Sequence, residues 1–153
     1  MNNSFLCDLH THSNFSDGTF TPTEIVKEAK RLGLSAIALC DHNTIKGLDE
    51  FTKAGKENNI ETINGIEIST DYGENTELHI VGLFIKEEYF DKVTEFLREL
   101  KINKEKSNCE LIKRLCENGY DIDYDALKLN IKTYKLIEHI LRRLYMKKDM
   151  QIA

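Results

Sequence analysis

The stretch that most limits what this chain can become is Leu34-Ser35-Ala36-Ile37-Ala38-Leu39-Cys40. It is apolar, small and uncharged, which suits a strand covered on both faces. The segments on either side read as helices. Upstream, Thr21-Pro22-Thr23-Glu24 is a strong helix start. Thr21 serves as N-cap, Pro22 takes the first helical position and Glu24 closes a capping box. Ile25, Ala29 and Leu32 fall on one stripe, and Gly33 stops the helix. Downstream, 47–59 reads as a second, weaker helix carrying Leu48, Phe51 and Ala54.

Further strands flank this unit. Phe5-Leu6-Cys7 opens one that reads as buried. Residues 61–68 form a third, 71–75 a turn and 78–85 a fourth, so the first 86 residues read as α/β. From about Glu87 the character changes to helical. Phe90, Val93, Leu97 and Leu100 mark one face, and 101–106 is a charged stretch, a solvated face or a break. Leu111, Ile112 and Leu115 mark a further face, ended by Asn118-Gly119, and 121–123 reads as a short extended piece. A last helix is expected over 131–147, with Leu136, Ile140, Leu141 and Leu144 on its apolar side.

At 153 residues the chain suits one domain. A net charge of −5 argues against a protein that coats nucleic acid, though not against an enzyme with a local basic pocket. No apolar run approaches a membrane span, and 1–4 carries no positive leader. Cys7, Cys40, Cys109 and Cys116 form no CxxC pair, and all four read as reduced core thiols of a cytoplasmic protein.

The polar residues at the strand termini carry the chemistry. Strand alternation puts Asp8, His10 and His12 on one face. Ser16-Asp17-Gly18 is a turn that folds Asp17 back over the strand end, with glycine free to take a positive φ. His42 follows the second strand, Glu67 lies near the end of the third and His79 near the start of the fourth. In a fold that repeats strand and helix, such ends gather on one rim. Imidazoles and carboxylates together are the ligand set of Zn, Mn or Fe. Each residue also has a plainer role as a strand-end or turn residue, but Glu67 in an apolar run needs a partner. Asp8 and Asp41 either orient imidazoles or cap turns. His139 suits packing better than ligation.

These residues resemble a known family. Asp8-Leu-His-Thr-His-Ser-Asn-Phe-Ser-Asp-Gly, Thr21-Pro22-Thr-Glu-Ile-Val, Ala38-Leu-Cys-Asp-His42-Asn-Thr, Gly65-Ile-Glu67-Ile-Ser and Glu77-Leu-His79-Ile-Val-Gly resemble the PHP (polymerase and histidinol phosphatase) family, in its TrpH-like branch. The resemblance is dense over 5–85 and looser through the helical part. It implies a distorted seven-stranded (β/α) TIM-like barrel with up to three divalent ions. It gives His10 and His12 to the first ion, makes Glu67 a bridge to a second, and gives that second ion His79. Asp17 and His42 go to the third. It implies hydrolysis of phosphate esters of nucleotides, or of short RNA or DNA ends, by a metal-bound hydroxide.

The chain also departs from the pattern. Cys40 stands where threonine is usual, and Lys104 and Lys106 fall where arginines are common. No counterpart of the family's later Ala-His-Pro-like and Asp-x-His segments is present. The expectation is therefore a partial barrel: a metal-binding half over 1–86 and a helical, insertion-like segment over 87–153. A non-catalytic remnant, a half completed by a missing carboxyl-terminal part, and self-association through an open sheet edge are the alternatives.

Overall fold

The structure is a computed structural model that describes residues 6–72 and 76–125. The expected last helix and His139 lie outside the described residues. The chain divides into two compact units, 1–97 and 98–153.

The first unit is built on a four-stranded sheet in the order β1 (Cys7–Thr11), β2 (Ala36–Leu39), β3 (Glu61–Tyr72), β4 (Thr76–Leu83). β1, β2 and β3 run parallel, and β4 returns antiparallel to β3. Helices α1 (Pro22–Arg31) and α2 (Leu48–Asn58) make the two crossovers that parallel pairing requires. This is a partial (β/α) barrel, as the sequence predicts.

β2 is buried along its whole length. Ile37 and Leu39 pack with Ile25, Val26 and Ala29 of α1 and with Leu48, Phe51 and Ala54 of α2. Ala36, Ala38 and Cys40 pack with Ile63 on a separate cluster. Phe51 is fully buried among the helix-side residues. Phe51→Ala is expected to cost about 3–5 kcal/mol, the range for emptying a buried aromatic site. A urea midpoint unchanged from wild type would contradict this packing.

α1 starts as read: Thr21 accepts from the Glu24 amide, and the Glu24 carboxylate accepts from the Thr21 amide at 2.8 Å. Leu32, expected on the buried stripe, is instead the C-cap residue and exposed, because the helix ends one turn after Ala29. Gly33 takes φ 75°, the left-handed conformation that ends it. Asn59, at φ 51°, does the same for α2.

Three expectations need correction. β1 is exposed rather than buried, because it is an outer strand with β2 alone beside it among the described strands. Its register also shifts between Asp8 and Thr11, so strict alternation does not run through it. Of the four free thiols only Cys40 is buried; Cys7 is on that outer strand, and Cys109 and Cys116 are on exposed positions of a helix. The strand bounds differ as well: β3 runs on to Tyr72 through pairing with β4, which leaves Glu67 in mid-strand rather than near the end, and β4 spans Thr76–Leu83 rather than 78–85, ending where Phe84 takes φ 61°.

After a 3-10 turn at Glu87–Tyr89, α3 runs unbroken from Phe90 to Glu117. The charged stretch 101–106 lies within this helix and is no break. In the second unit, Leu115 is buried against Leu111, Ile112, Tyr120, Ile122 and Tyr124. Gly119, at φ 85°, turns the chain so that Tyr120 donates back to Leu115. No described helix is long and apolar enough to cross a membrane.

Candidate metal centre

Each candidate ligand reaches the site by its own local route. His10 is the penultimate residue of β1, and His12 is the first beyond it. The chain then turns: the Ser13 carbonyl accepts from the amides of Ser16 at 3.0 Å and Gly18 at 2.9 Å. That turn brings Asp17 back beside His12. Gly18 is required here for space and not for a positive φ. A Cβ on it would lie 2.1 Å from the His12 carbonyl oxygen.

His42 follows β2 and forms a parallel bridge with Glu67 on β3. The Glu67 amide donates to Asp41 O at 3.2 Å, and the Asn43 amide donates to Glu67 O at 2.9 Å. Asn43 sits in the left-handed region, at φ 52°, and its Oδ1 accepts from the Ser69 amide. Because β4 is antiparallel, its amino end meets the carboxyl-terminal part of β3. His79 pairs with Ser69, which puts it diagonally across from Glu67.

Glu67 is the hub. It is 5% exposed, and four imidazoles surround its carboxylate. Oε2 stands 2.8 Å from His10 Nε2, 3.1 Å from His12 Nε2 and 3.7 Å from His42 Nε2, and Oε1 stands 2.5 Å from His79 Nδ1. Asp17 lies beyond them, 3.5 Å from His12 Nδ1 through Oδ1 and 3.5 Å from His42 Nε2 through Oδ2. The His12 and His42 rings stack with centroids 4.6 Å apart. Three overlapping groups result: His10–His12–Glu67, His12–Asp17–His42 and His42–Glu67–His79.

Burial pushes the Glu67 carboxyl up, but hydrogen bonds from His10 and His79, with the charges of His42 and His10, outweigh it. The net direction is below the ordinary carboxylate value, so Glu67 is an anion at neutral pH. Cys40, behind the site, goes the other way. Burial first, and then the Glu67 charge, pushes its thiol up to about 11.

The donor set fits divalent transition ions. It is all imidazole nitrogen and carboxylate oxygen, the ligands of Zn, Mn and Fe. Ligands bound at about 2.1 Å to one ion lie roughly 3–4 Å apart. The contacts of 3.1, 3.5 and 3.7 Å are of that size. His12 Nδ1 is buried with no hydrogen-bond partner and faces Asp17 Oδ1. A buried nitrogen in that state suits a ligand atom better than a structural hydrogen bond.

All six residues named from the sequence therefore come together. Asp8 does not join them: it is exposed, and its Oδ1 accepts from the His10 amide at 3.2 Å. Asp41 is 2% exposed and bonds to the 13–16 turn rather than to an imidazole. Sequence reading missed Ser13, Ser16 and Asn43. Their signal was the run of small polar residues around each candidate ligand.

The family model of the PHP domain matches residues 8–144. Among curated relatives, a 5′-3′ exoribonuclease of Haemophilus influenzae is 44% identical over 121 residues, 79% of this chain and 43% of that one. A 3′,5′-nucleoside bisphosphate phosphatase of Chromobacterium violaceum is 44% identical over 78 residues, 51% of this chain and 27% of that one. Two solved structures share the fold at 28% identity. A protein of Bifidobacterium adolescentis assigned as a metal-dependent phosphoesterase gives a TM-score of 0.59, covering 82% of this chain and 43% of that one. An amidohydrolase of Chromobacterium violaceum, solved with sulfate and no metal, gives 0.61, covering 93% and 50%. The chain thus spans under half the length of these curated relatives. With the match reaching across both units, and with histidine and carboxylate side chains gathered around Glu67, the chain belongs to the PHP domain family.

Proposed function

We propose that this chain holds two to three divalent ions and hydrolyses phosphate esters of nucleotides or of short nucleic-acid ends. The observation that carries this reading is the convergence of four imidazoles on the buried Glu67 carboxylate, with Asp17 beside two of them. Names of relatives that act on nucleoside bisphosphates and on RNA support the substrate class. His10 and His12 would hold one ion, Glu67 would be shared between that ion and a second one held by His79, and Asp17 and His42 would hold the third. Bound ions of this kind lower the pKa of a water and neutralise phosphate oxygens in displacement.

The chain's own residues supply position and charge. His10 Nε2 faces one Glu67 oxygen and His79 Nδ1 the other, so each pair of atoms is placed to share an ion. Asp17 sits at the exposed edge, its side chain 49% accessible, where a substrate enters. In this reading 1–86 carries every candidate ligand and 87–153 is the helical, insertion-like segment. The free thiols fit a cytoplasmic setting.

A second reading is a metal-holding half that turns over only with further strands beside it, from another chain segment or a second copy. Behind it stand the outer strands. Leu6 and Leu9 at β1, and Leu78, Ile80 and Val81 on β4, are exposed apolar residues at the two sides of the sheet.

Phosphate release from a 3′,5′-nucleoside bisphosphate, with Mn²⁺ or Zn²⁺ added, separates the two. Release at least 100-fold above a His10→Ala control is expected if the chain acts alone. Release no greater than that control, from a folded and metal-loaded sample, would reject the first reading for this chain.

A further inference from the structure

We infer that Asp41 is a positioning residue that ties the Ser13–Asp17 turn to the end of β2 and so sets Asp17 and His12 against His42. This rests on the metal-site reading above. Asp41 is 2% exposed and Ser13 fully buried. Oδ1 of Asp41 accepts from the Ser13 amide at 2.7 Å and from Ser16 Oγ at 2.6 Å, and Oδ2 accepts from Ser13 Oγ at 2.6 Å. All three donors come from the turn. A carboxylate buried this deeply is tolerated only when its oxygens are satisfied, and short bonds to an anion are the strong kind.

The position of Asp41 in the chain gives these bonds their consequence. It adjoins His42, and its own carbonyl accepts from the Glu67 amide. One residue thus joins the turn that carries Asp17 to the strands that carry His42 and Glu67. Ser16 is the link. Its hydroxyl lies 2.6 Å from Asp41 Oδ1 and 3.3 Å from Asp17 Oδ1. A hydroxyl has one proton to give, and the shorter contact takes it. Asp17 therefore keeps its oxygens facing His12 Nδ1 and His42 Nε2, each at 3.5 Å. Asp41 touches no imidazole nitrogen in these contacts; it acts through the turn.

The test is Co²⁺ titration of the full chain, read as affinity and as the visible absorption band that reports coordination. Asp41→Asn is expected to weaken Co²⁺ binding by about 10–100-fold, the range for residues that support ligands from behind. Ser16→Ala, which removes the link and leaves the buried carboxylate, covers the case in which Asp41→Asn does not fold. It is expected to weaken binding by about tenfold, and Ser16→Thr, which keeps the hydroxyl, to restore wild-type affinity. In an Asp17→Ala background the Asp41→Asn penalty should shrink to the part carried through His12, as coupled residues require. Wild-type affinity in Ser16→Ala, or an undiminished Asp41→Asn penalty in Asp17→Ala, overturns the proposal. A wild-type chain that takes up no Co²⁺ would instead defeat the metal-site reading. Amide exchange then decides the positioning claim without any ion: Ser16 and Gly18 should exchange at least tenfold faster in Ser16→Ala with α1 unchanged, and equal rates would overturn it.

Discussion

Glu67→Gln is expected to strip the chain of bound metal while leaving its fold in place. Glu67 belongs to two of the three candidate groups, and it is the one carboxylate shared between them. Glutamine keeps the size and one oxygen, so the cluster of imidazoles can still close around it. What it loses is the negative charge, and one oxygen becomes an amide NH2, a hydrogen-bond donor that offers a cation no lone pair. Residues that merely support ligands change metal affinity by about 10–100-fold, so loss of a shared ligand should exceed a hundredfold. Bound Mn or Zn per chain, measured by elemental analysis after dialysis, should fall to near a buffer blank. Circular dichroism should stay unchanged, because glutamine fills the same buried volume on β3. Wild-type metal content in this variant would remove Glu67 from the role given to it.

Gly18→Ala should damage both stability and metal binding. The added methyl would stand 2.1 Å from His12 O, 2.6 Å from His12 C and 2.9 Å from Ser13 C. All three atoms are backbone, so no rotamer change relieves the clash. The turn must open, and opening it moves His12 and Asp17 together. Overpacking of this kind costs about 1–3 kcal/mol, and a contact against rigid backbone belongs at the upper end. The expected result is a lowered urea midpoint and weaker Mn²⁺ binding in the same variant. An unchanged midpoint with unchanged binding would mean that the turn is looser than this packing allows.

Much of the fold was legible because it depended on local chemistry. The uncharged run at 34–40 announced a strand covered on both faces, and Ala36 to Leu39 are buried throughout. Thr21-Pro22-Thr23-Glu24 announced a helix start, and the reciprocal bonds are present. Strand-end polar residues announced a rim, and six of them converge. The failures concern where an element ends and which of its faces is covered: Leu32 falls at the exposed end of α1, and Cys109 and Cys116 fall on exposed positions of α3. An apolar run cannot say whether its strand is central or outermost, so β1 was misread as buried. The role of Gly18 depends on a carbonyl that happens to pass beside it, which spacing does not reveal. The bonds from Ser13 and Ser16 to Asp41 join residues 28 and 25 positions apart, beyond any local pattern. His79 is instructive in the other direction. The sequence puts it near the start of its strand, which looks like the wrong end; in the structure it is the fourth residue of β4, and antiparallel pairing with β3 brings it to Glu67.

The central claim is that the cluster around Glu67 is a metal site rather than a hydrogen-bonded knot of histidines. Metal content per chain, by elemental analysis of protein loaded with Mn²⁺ or Zn²⁺ and dialysed, tests it most directly. Two or more ions retained per chain, lost in Glu67→Gln, is the result this account predicts. Retention of no metal above a buffer blank, in protein shown to be folded, would contradict it.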